Sequence, residues 1–328
     1  MNSKITLAIK LSKFNLELSK AEALLCLKAY FETELISCVD DFCFFKVQRN
    51  PKLILKALSR LAFAKEAFII SENCDLANLE KLAHLFNLPI GLNSSFKIHL
   101  PFPPKQSKLD LINKVASNVL DSSFSGKISL SNPDLVICYF EALDFLGLLI
   151  WSNKDVFRTR RAHLKPAPHP SGIDPRLARA MINLASAKNE VLDPFCGAGG
   201  ILEEVRLLGL KYIGVDISWK MINLARINLK SKDNLFCQDA LSWNTVVECI
   251  VTDLPYGKNS KLDGSLILLI NGFFEHFKNL TKKIVVCTPH KFDVEGISKK
   301  YGWKLTHHFD IFIHGSLTRR IHVLEIQI

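Results

Sequence analysis

After residue 171 short apolar runs alternate with amphipathic stretches, and four of the runs lead into an acid: Asp193, Asp216, Asp239 and Asp253. This alternation constrains the fold most, because successive β and α units of this size assemble into a parallel, doubly wound sheet with helices on both faces. Val191 to Asp193 reads as a strand entering a glycine-rich turn, and Tyr212 to Val215 as the next strand, ending at Asp216. Asn234 to Cys237 and Cys249 to Val251 supply two more, which run on to Asp239 and Asp253. Asp174 followed by Pro175 marks a helix start, with Leu177, Met181 and Leu184 as its buried stripe. Ile217 to Lys230 reads as a helix capped by Ser218. The tail departs from the pattern. Trp303 to His314 and Leu317 to Ile328, joined through Gly315-Ser316, are expected to form an antiparallel hairpin at the sheet's edge.

In an open α/β sheet, ligands sit outside the carboxyl ends of the strands, where these acids lie. Asp193 opens the run Asp193-Pro194-Phe195-Cys196-Gly197-Ala198-Gly199-Gly200 and would repel a pyrophosphate, and the spacing is not the G-x-G-x-x-G of dinucleotide sites. S-adenosylmethionine suits the pocket better: it carries no phosphate, and its sulfonium and ammonium are compatible with carboxylates. Gly197, Gly199 and Gly200 would let backbone approach the methionyl part closely. Asp216 is placed to accept both ribose hydroxyls, and Asp239 to meet the adenine amino group. Strand-end aspartates also serve as caps and turns, an alternative most open for Asp239. Phe195, Cys196, Ile217 and Ala240 complete the expected lining, with Cys196 as a packing residue rather than a nucleophile, since no base is near it in sequence.

The second motif is Thr252-Asp253-Leu254-Pro255-Tyr256-Gly257. An exocyclic amine of guanine or adenine is a poor nucleophile because its lone pair is delocalised into the ring. Acceptors aimed at its hydrogens favour pyramidalisation and stabilise the developing positive charge. Asp253 and a main-chain carbonyl of Leu254 or Pro255 are suitable acceptors, Pro255 stiffens the turn, and Tyr256 offers a face for a flat base. Asp253 is therefore expected in both the catalytic and the cofactor-contacting sets. A base inside a duplex cannot reach such a pocket, so extrusion is implied.

The first half carries no glycine-rich loop and no acid/His constellation, so it reads as a binding half. Helices are expected over Ser19 to Glu32, Pro51 to Phe63 and Asn78 to Leu88, with strands over Phe42 to Val47 and Ala67 to Ile70. A basic, proline-stiffened connector follows, in which Arg158, Arg160, Arg161 and Lys165 either contact RNA phosphates, the reading their place between the two halves favours, or form a solvated linker. The net charge of +10 over 328 residues favours a polyanionic partner. The nine cysteines are scattered, with no C-x-x-C, which argues against a zinc site or a disulfide framework and for a reducing, cytoplasmic setting. His307, His308 and His314 are expected as surface or packing residues rather than metal ligands, and no stretch is long and apolar enough to span a bilayer.

Three segments carry a resemblance: His169-Pro170-Ser171-Gly172-Ile173-Asp174-Pro175-Arg176-Leu177-Ala178-Arg179-Ala180-Met181-Ile182-Asn183-Leu184-Ala185, the Asp193 loop, and Asp253 to Gly257. Through them the chain resembles the THUMP-domain tRNA guanine-N2-methyltransferases, most closely the archaeal-type enzymes of guanine 10. The resemblance implies a Rossmann-like class I S-adenosylmethionine-dependent methyltransferase domain over residues 171–328, a basic linker over 153–170, and an α+β RNA-binding half. That half would divide into a ferredoxin-like domain over 1–55 and a THUMP domain over 56–152, which grips the tRNA by its 3′ end. The expected partner is tRNA, with a small activating partner protein as an option left open. Leu254 stands where amino-methyltransferases commonly have proline, and Lys165-Pro166-Ala167-Pro168 replaces an Arg-Pro-aromatic pattern. The competing readings are amino-methylation of another RNA position, of DNA or of a protein glutamine, and a catalytically silent RNA-binding subunit.

Overall fold

A computed structural model describes residues 4–91, 93–104, 107–120, 122, 126–170, 172–255, 264–314 and 317–326. The chain divides into two compact units. One holds Met1–Lys20, Tyr30–Ser59 and Ala64–Lys154; the other holds Ala21–Ala29, Arg60–Phe63 and Asp155–Ile328.

The first unit is built on β1 (Lys4–Leu11), β2 (Glu34–Val39), β3 (Phe42–Gln48), β4 (Ala64–Ser71), β5 (Ser95–His99), β6 (Lys127–Ile128), β7 (Leu135–Phe140) and β8 (Phe145–Ser152). The helices in this stretch of chain are α1 (Leu16–Lys28), α2 (Pro51–Arg60), α3 (Leu76–Leu85) and α4 (Lys108–Leu120). The strands form one sheet in the order β2-β3-β1-β4-β8-β7-β5-β6, and β1 pairs antiparallel with both β3 and β4. The sheet therefore continues without a break through the strands on either side of residue 55. Phe42, Phe44, Phe68 and Phe140 anchor its core through edge-to-face contacts, with the Phe42 and Phe140 rings 5.2 Å apart. One expectation fails here. The β2–β3 register sets Cys38 opposite Cys43, and the two are joined by a disulfide, because the hairpin pairs cysteines that look isolated along the chain.

The second unit adds α5 (Pro175–Leu184), β9 (Glu190–Asp193), α6 (Gly200–Leu207), β10 (Lys211–Asp216), α7 (Trp219–Leu229), β11 (Leu235–Cys237) and β12 (Ile250–Asp253). It continues with α8 (Gly264–Phe277), β13 (Lys283–Pro289), α9 (Val294–Lys299), β14 (Trp303–His314) and β15 (Leu317–Ile326). The sheet order is β11-β10-β9-β12-β13-β15-β14. Strands β9 to β13 run parallel, and β15 enters antiparallel between β13 and β14. The expected hairpin is present, although its second strand and not its first joins the parallel sheet; its turn, Gly315-Ser316, lies outside the described residues. This is the strand order of class I methyltransferases. The chain reverses direction across the sheet between β9 and β12, which makes their carboxyl ends the topological switch point.

Local rules account for the elements around that point. The Asp174 carboxylate accepts the Arg176 N–H at 2.9 Å and Pro175 opens α5. Ser218 caps α7, and Lys230 closes it in a left-handed turn at φ 52°. The helix α5 is buried on nearly every side and not only along its apolar stripe; Arg179 and Asn183 are buried with it. Its polar side chains have partners from the early segments that belong to this unit. Glu22 accepts N–H bonds from Ala62 and Phe63 and the Asn183 amide, at 2.7 to 2.8 Å, while Arg60 donates to Asn183 and to the Ala187 carbonyl. Residues 21–29 and 60–63 are thus structural parts of the catalytic-type domain, and the expected domain edge at residue 171 leaves them out.

Candidate active site

Asp193, Asp216 and Asp253 end β9, β10 and β12, so the sheet brings them to one edge, with Asp193 in the middle. Asp239 lies two residues beyond the end of β11, is exposed, and accepts the Leu241 N–H at 2.9 Å to start a turn over Ala240–Ser242. The capping alternative is realised there, and the carboxylate reaches solvent as well.

The loop after β9 is shaped by two glycines. Gly197 and Gly199 adopt φ of +50° and +81°, a region that strains any residue with a Cβ, and Gly199 leads into α6. Asp216 holds this loop: its Oδ2 accepts the Gly197 N–H at 2.9 Å and its Oδ1 accepts the Ser218 N–H at 2.8 Å. Cys196 is buried and its N–H donates to the Val215 carbonyl; burial raises the thiol far above its usual range, so it packs and does not attack. Asn228 closes the loop from α7, donating to the Ala198 and Ala167 carbonyls and accepting the Ala167 N–H. Of the connector residues that break the expected Arg-Pro-aromatic pattern, Ala167 is therefore tied to the loop through Asn228, while Pro166 and Pro168 are exposed.

Asp193 is 2% exposed and its Oδ1 accepts the Thr252 hydroxyl at 2.7 Å, which ties the glycine loop to the strand that delivers Asp253. Burial pushes its carboxyl up to about 7, against the downward pull of the Thr252 and Phe195 hydrogen bonds, and the charges of Asp253 and Asp216 add to the rise. A bound cation would reverse that shift. These features fit S-adenosylmethionine: carboxylates gather at one edge, the glycines keep side chains away, and a Cβ on Gly197 would meet nothing within 4 Å. Ile217 is 76% exposed beside Asp216, an apolar surface available to a flat ring.

Asp253 is held from across the sheet. Arg319, near the start of β15, places Nη1 3.0 Å from Asp253 Oδ2, with both side chains largely buried. Leu254 is buried, and its N–H donates to the Cys287 carbonyl at 3.1 Å, which fixes the start of the turn; Pro255 is exposed. Tyr256 and Gly257 lie outside the described residues. Arg319, Thr252 and Asn228 are the site residues that sequence reasoning missed. Thr252 stood inside the second motif, whereas Arg319 and Asn228 are far from either motif and become neighbours only through the sheet and α7.

The connector's basic residues separate into two groups. Arg160 forms bidentate pairs with Asp155 and with the fully buried Glu204, at 2.7 to 3.2 Å, and Arg179 joins Glu204 at 2.7 Å. Phe157 lies under the guanidinium groups of Arg160, Arg176 and Arg179. Lys165 pairs with Glu203 at 2.7 Å and is mostly buried. Arg160 and Lys165, expected on RNA, are instead internal cations that lock the connector onto α5 and α6. Removing Glu204 would leave Arg160 to Asp155 alone and take from the buried Arg179 its 2.7 Å partner, at a cost of about 3–5 kcal/mol. Arg158 and Arg161 are exposed, Arg161 lying 3.8 Å from Asp174. His307 stacks on Phe309 and packs as expected; no cluster of three or more metal-ligating side chains occurs among the described residues. No helix among them is long and apolar enough to cross a membrane.

Residues 161–319 match the UPF0020 family, described as an RMKL-like methyltransferase domain. The chain is 32% identical over 228 residues to the tRNA (guanine(10)-N2)-dimethyltransferase of Pyrococcus abyssi, covering 65% of this chain and 68% of that one. It is 32% identical over 233 residues to the protein of the same name from Methanocaldococcus jannaschii, covering 65% and 64% of the two chains. Among solved structures, TrmN from Thermus thermophilus aligns over 98% of this chain at 19% identity, with a TM-score of 0.46.

Proposed function

This chain belongs to the tRNA (guanine(10)-N2)-dimethyltransferase family, and from that premise we propose that it methylates the exocyclic N2 of a guanosine in tRNA, guanine 10, with S-adenosylmethionine as methyl donor. The observation that carries the reading is the pairing at one sheet edge of a glycine loop held by Asp216 with an acid, Asp253, held by Arg319.

When bound, the cofactor supplies an electrophilic methyl group. Asp193 and Asp216, with the backbone of Phe195 to Gly199, Ile217, Asp239 and Ala240, would hold it at the ends of β9 and β10. Asp253 accepts a hydrogen of the guanine NH2 and a carbonyl of Leu254 or Pro255 accepts the other, so that the lone pair turns out of the ring plane toward the methyl group. The Arg319 guanidinium, 3.0 Å away, holds the Asp253 carboxylate in place as an acceptor for a nitrogen gaining positive charge. Tyr256 offers the stacking face. A methylated nitrogen would have one proton to lose, and the Asp253 carboxylate would be placed to accept it.

The first unit would supply the grip on tRNA, with the ferredoxin-like part drawn from 1–55 and the THUMP part from 56–152, apart from residues 21–29 and 60–63, which belong to the second unit. Arg158 and Arg161, the exposed cations of the connector, would contact phosphates. A cytoplasmic setting follows from a tRNA substrate. Methylation of DNA or a protein is disfavoured by the family, and a silent subunit by the intact Asp193, Asp216 and Asp253.

The test is transfer from labelled S-adenosylmethionine to an unmodified tRNA transcript, followed by nucleoside analysis. Label in N2-methylguanosine or its dimethyl form at position 10 supports the proposal. Label in another nucleoside, or none on tRNA with cofactor binding intact, contradicts it.

A further inference from the structure

Beside the catalytic edge, on β15, Arg320, the neighbour of Arg319, faces a cavity. It encloses about 280 Å³ and is lined by His290, Phe292, His308, Arg320 and His322, with Asp293 and Glu295 at its side. Its position follows from the strands. Pro289 pairs with Arg319, the His290 N–H donates to the Thr318 carbonyl at 3.1 Å, and Arg319 reaches Asp253 at 3.0 Å. Successive side chains of a strand point to opposite faces. Arg319 thus serves the acid, and Arg320 serves the cavity.

Three features define what the cavity would take. Arg320 is held by Asp310 through paired bonds of 2.6 and 2.7 Å, so its guanidinium is fixed in orientation and can present a flat face. His322 is 2% exposed and its Nε2 lies 3.0 Å from Thr288 Oγ1, while the Thr288 hydroxyl donates to the Pro289 carbonyl. The imidazole Nδ1 is buried and has no hydrogen-bond partner in the structure. Burial, with the nearby charges of Arg320 and His308, lowers its pKa to about 3, so the ring is neutral. An unpartnered polar nitrogen under the cavity makes its floor polar rather than purely apolar. The charges near the cavity are mixed, Lys291 and Arg320 against Asp293, Glu295 and Asp310, so a free anion gains little there. A flat, neutral group with polar edges fits: a nucleobase, which RNA-binding proteins hold on arginine and histidine faces.

We propose that this cavity binds a base of the RNA strand next to the target nucleotide, so that target and neighbour are held on either side of β15. The inference rests on the reading that RNA is the substrate. Extrusion of one nucleotide costs stacking, and capture of an adjacent base would offset it.

The test uses the full chain with His308→Ala, an exposed position, and with His308→Ala/Arg320→Ala, thermal unfolding confirming that both fold. The probe is a five-nucleotide single-stranded RNA, its binding read by fluorescence anisotropy, alongside KM for tRNA and cofactor affinity. The double variant should bind the oligonucleotide about tenfold more weakly and raise KM for tRNA similarly, leaving cofactor affinity unchanged, as loss of one base-stacking site predicts. Unchanged oligonucleotide affinity together with unchanged KM would overturn the cavity's role. The oligonucleotide reading does not depend on turnover, so failure of the wild type to methylate tRNA would count against the proposed reaction and leave the binding result standing.

Discussion

Asp216 and Asp253 flank Asp193 on the same sheet edge, and they are held in opposite ways. Asp216 is clamped by two backbone N–H groups, of Gly197 and Ser218, that follow from the loop's own conformation. Asp253 is clamped by a side chain, Arg319, that arrives on a strand running the other way. The first arrangement is local and rigid, suited to a cofactor of constant shape. The second depends on tertiary pairing, and it places a cation against the acid that must stabilise a developing positive charge. The cofactor side should therefore fail through binding when altered, and the base side through turnover.

The largest expected effect is on the base side. Asp253→Ala should lower methyl transfer by about a thousandfold, the upper end for loss of one pre-aimed polar group, with cofactor and tRNA affinities retained. Single-turnover rates together with equilibrium binding check this, and retained turnover would remove Asp253 from its role. Arg319→Ala should cost about a hundredfold in kcat, because Asp253 loses the partner that aims it. Arg319→Lys should recover part of the loss, and an unchanged kcat in Arg319→Ala would reduce Arg319 to packing.

On the cofactor side the effects are smaller and of a different kind. Asp216→Ala should weaken cofactor binding about tenfold to fiftyfold by calorimetry, since both the Gly197 and Ser218 N–H groups lose their acceptor. If kcat fell while affinity stayed constant, the contrast between the two sides would break down. Asp193 gives a pH signature. Its pKa is raised to about 7, so the protonated form is favoured in the cofactor-free fold and stability from this group is lost as pH rises through 7. A cationic ligand needs the ionised form, so affinity should rise about tenfold at most between pH 6 and 8. Flat affinity across that range would place Asp193 outside the cofactor's field. Smallest of all, Arg158→Ala/Arg161→Ala should raise KM for tRNA about threefold and flatten its salt dependence.

The parallel sheet, the α5 cap and the glycine loop were legible because each is encoded locally: alternating apolar runs, Asp before Pro, glycines where φ turns positive. The residues that the sequence could not place are those whose partners are distant. Arg319 looks like any basic residue of an edge strand until β15 inserts beside β13. Arg160 and Lys165 looked like phosphate ligands because a basic, proline-rich connector has the same composition whether it faces RNA or the acids of α6; the buried Glu204 decides for the interior. Cys38 and Cys43 appeared isolated because a hairpin register is invisible in spacing alone. The early segments 21–29 and 60–63 carried no motif, yet Glu22 and Arg60 satisfy the buried polar groups of α5, so a chain shortened by 150 residues would lose part of the second unit as well.

The central claim is that this sheet edge delivers a methyl group to a guanine N2, and the most direct test replaces only that amine. Single-turnover transfer from labelled S-adenosylmethionine would be compared on two tRNAs that differ at position 10, one with guanosine and one with inosine, which lacks the exocyclic amine. Label on the guanosine tRNA and none on the inosine tRNA, with equal binding of both, is the predicted result. Equal labelling of the two would contradict the account.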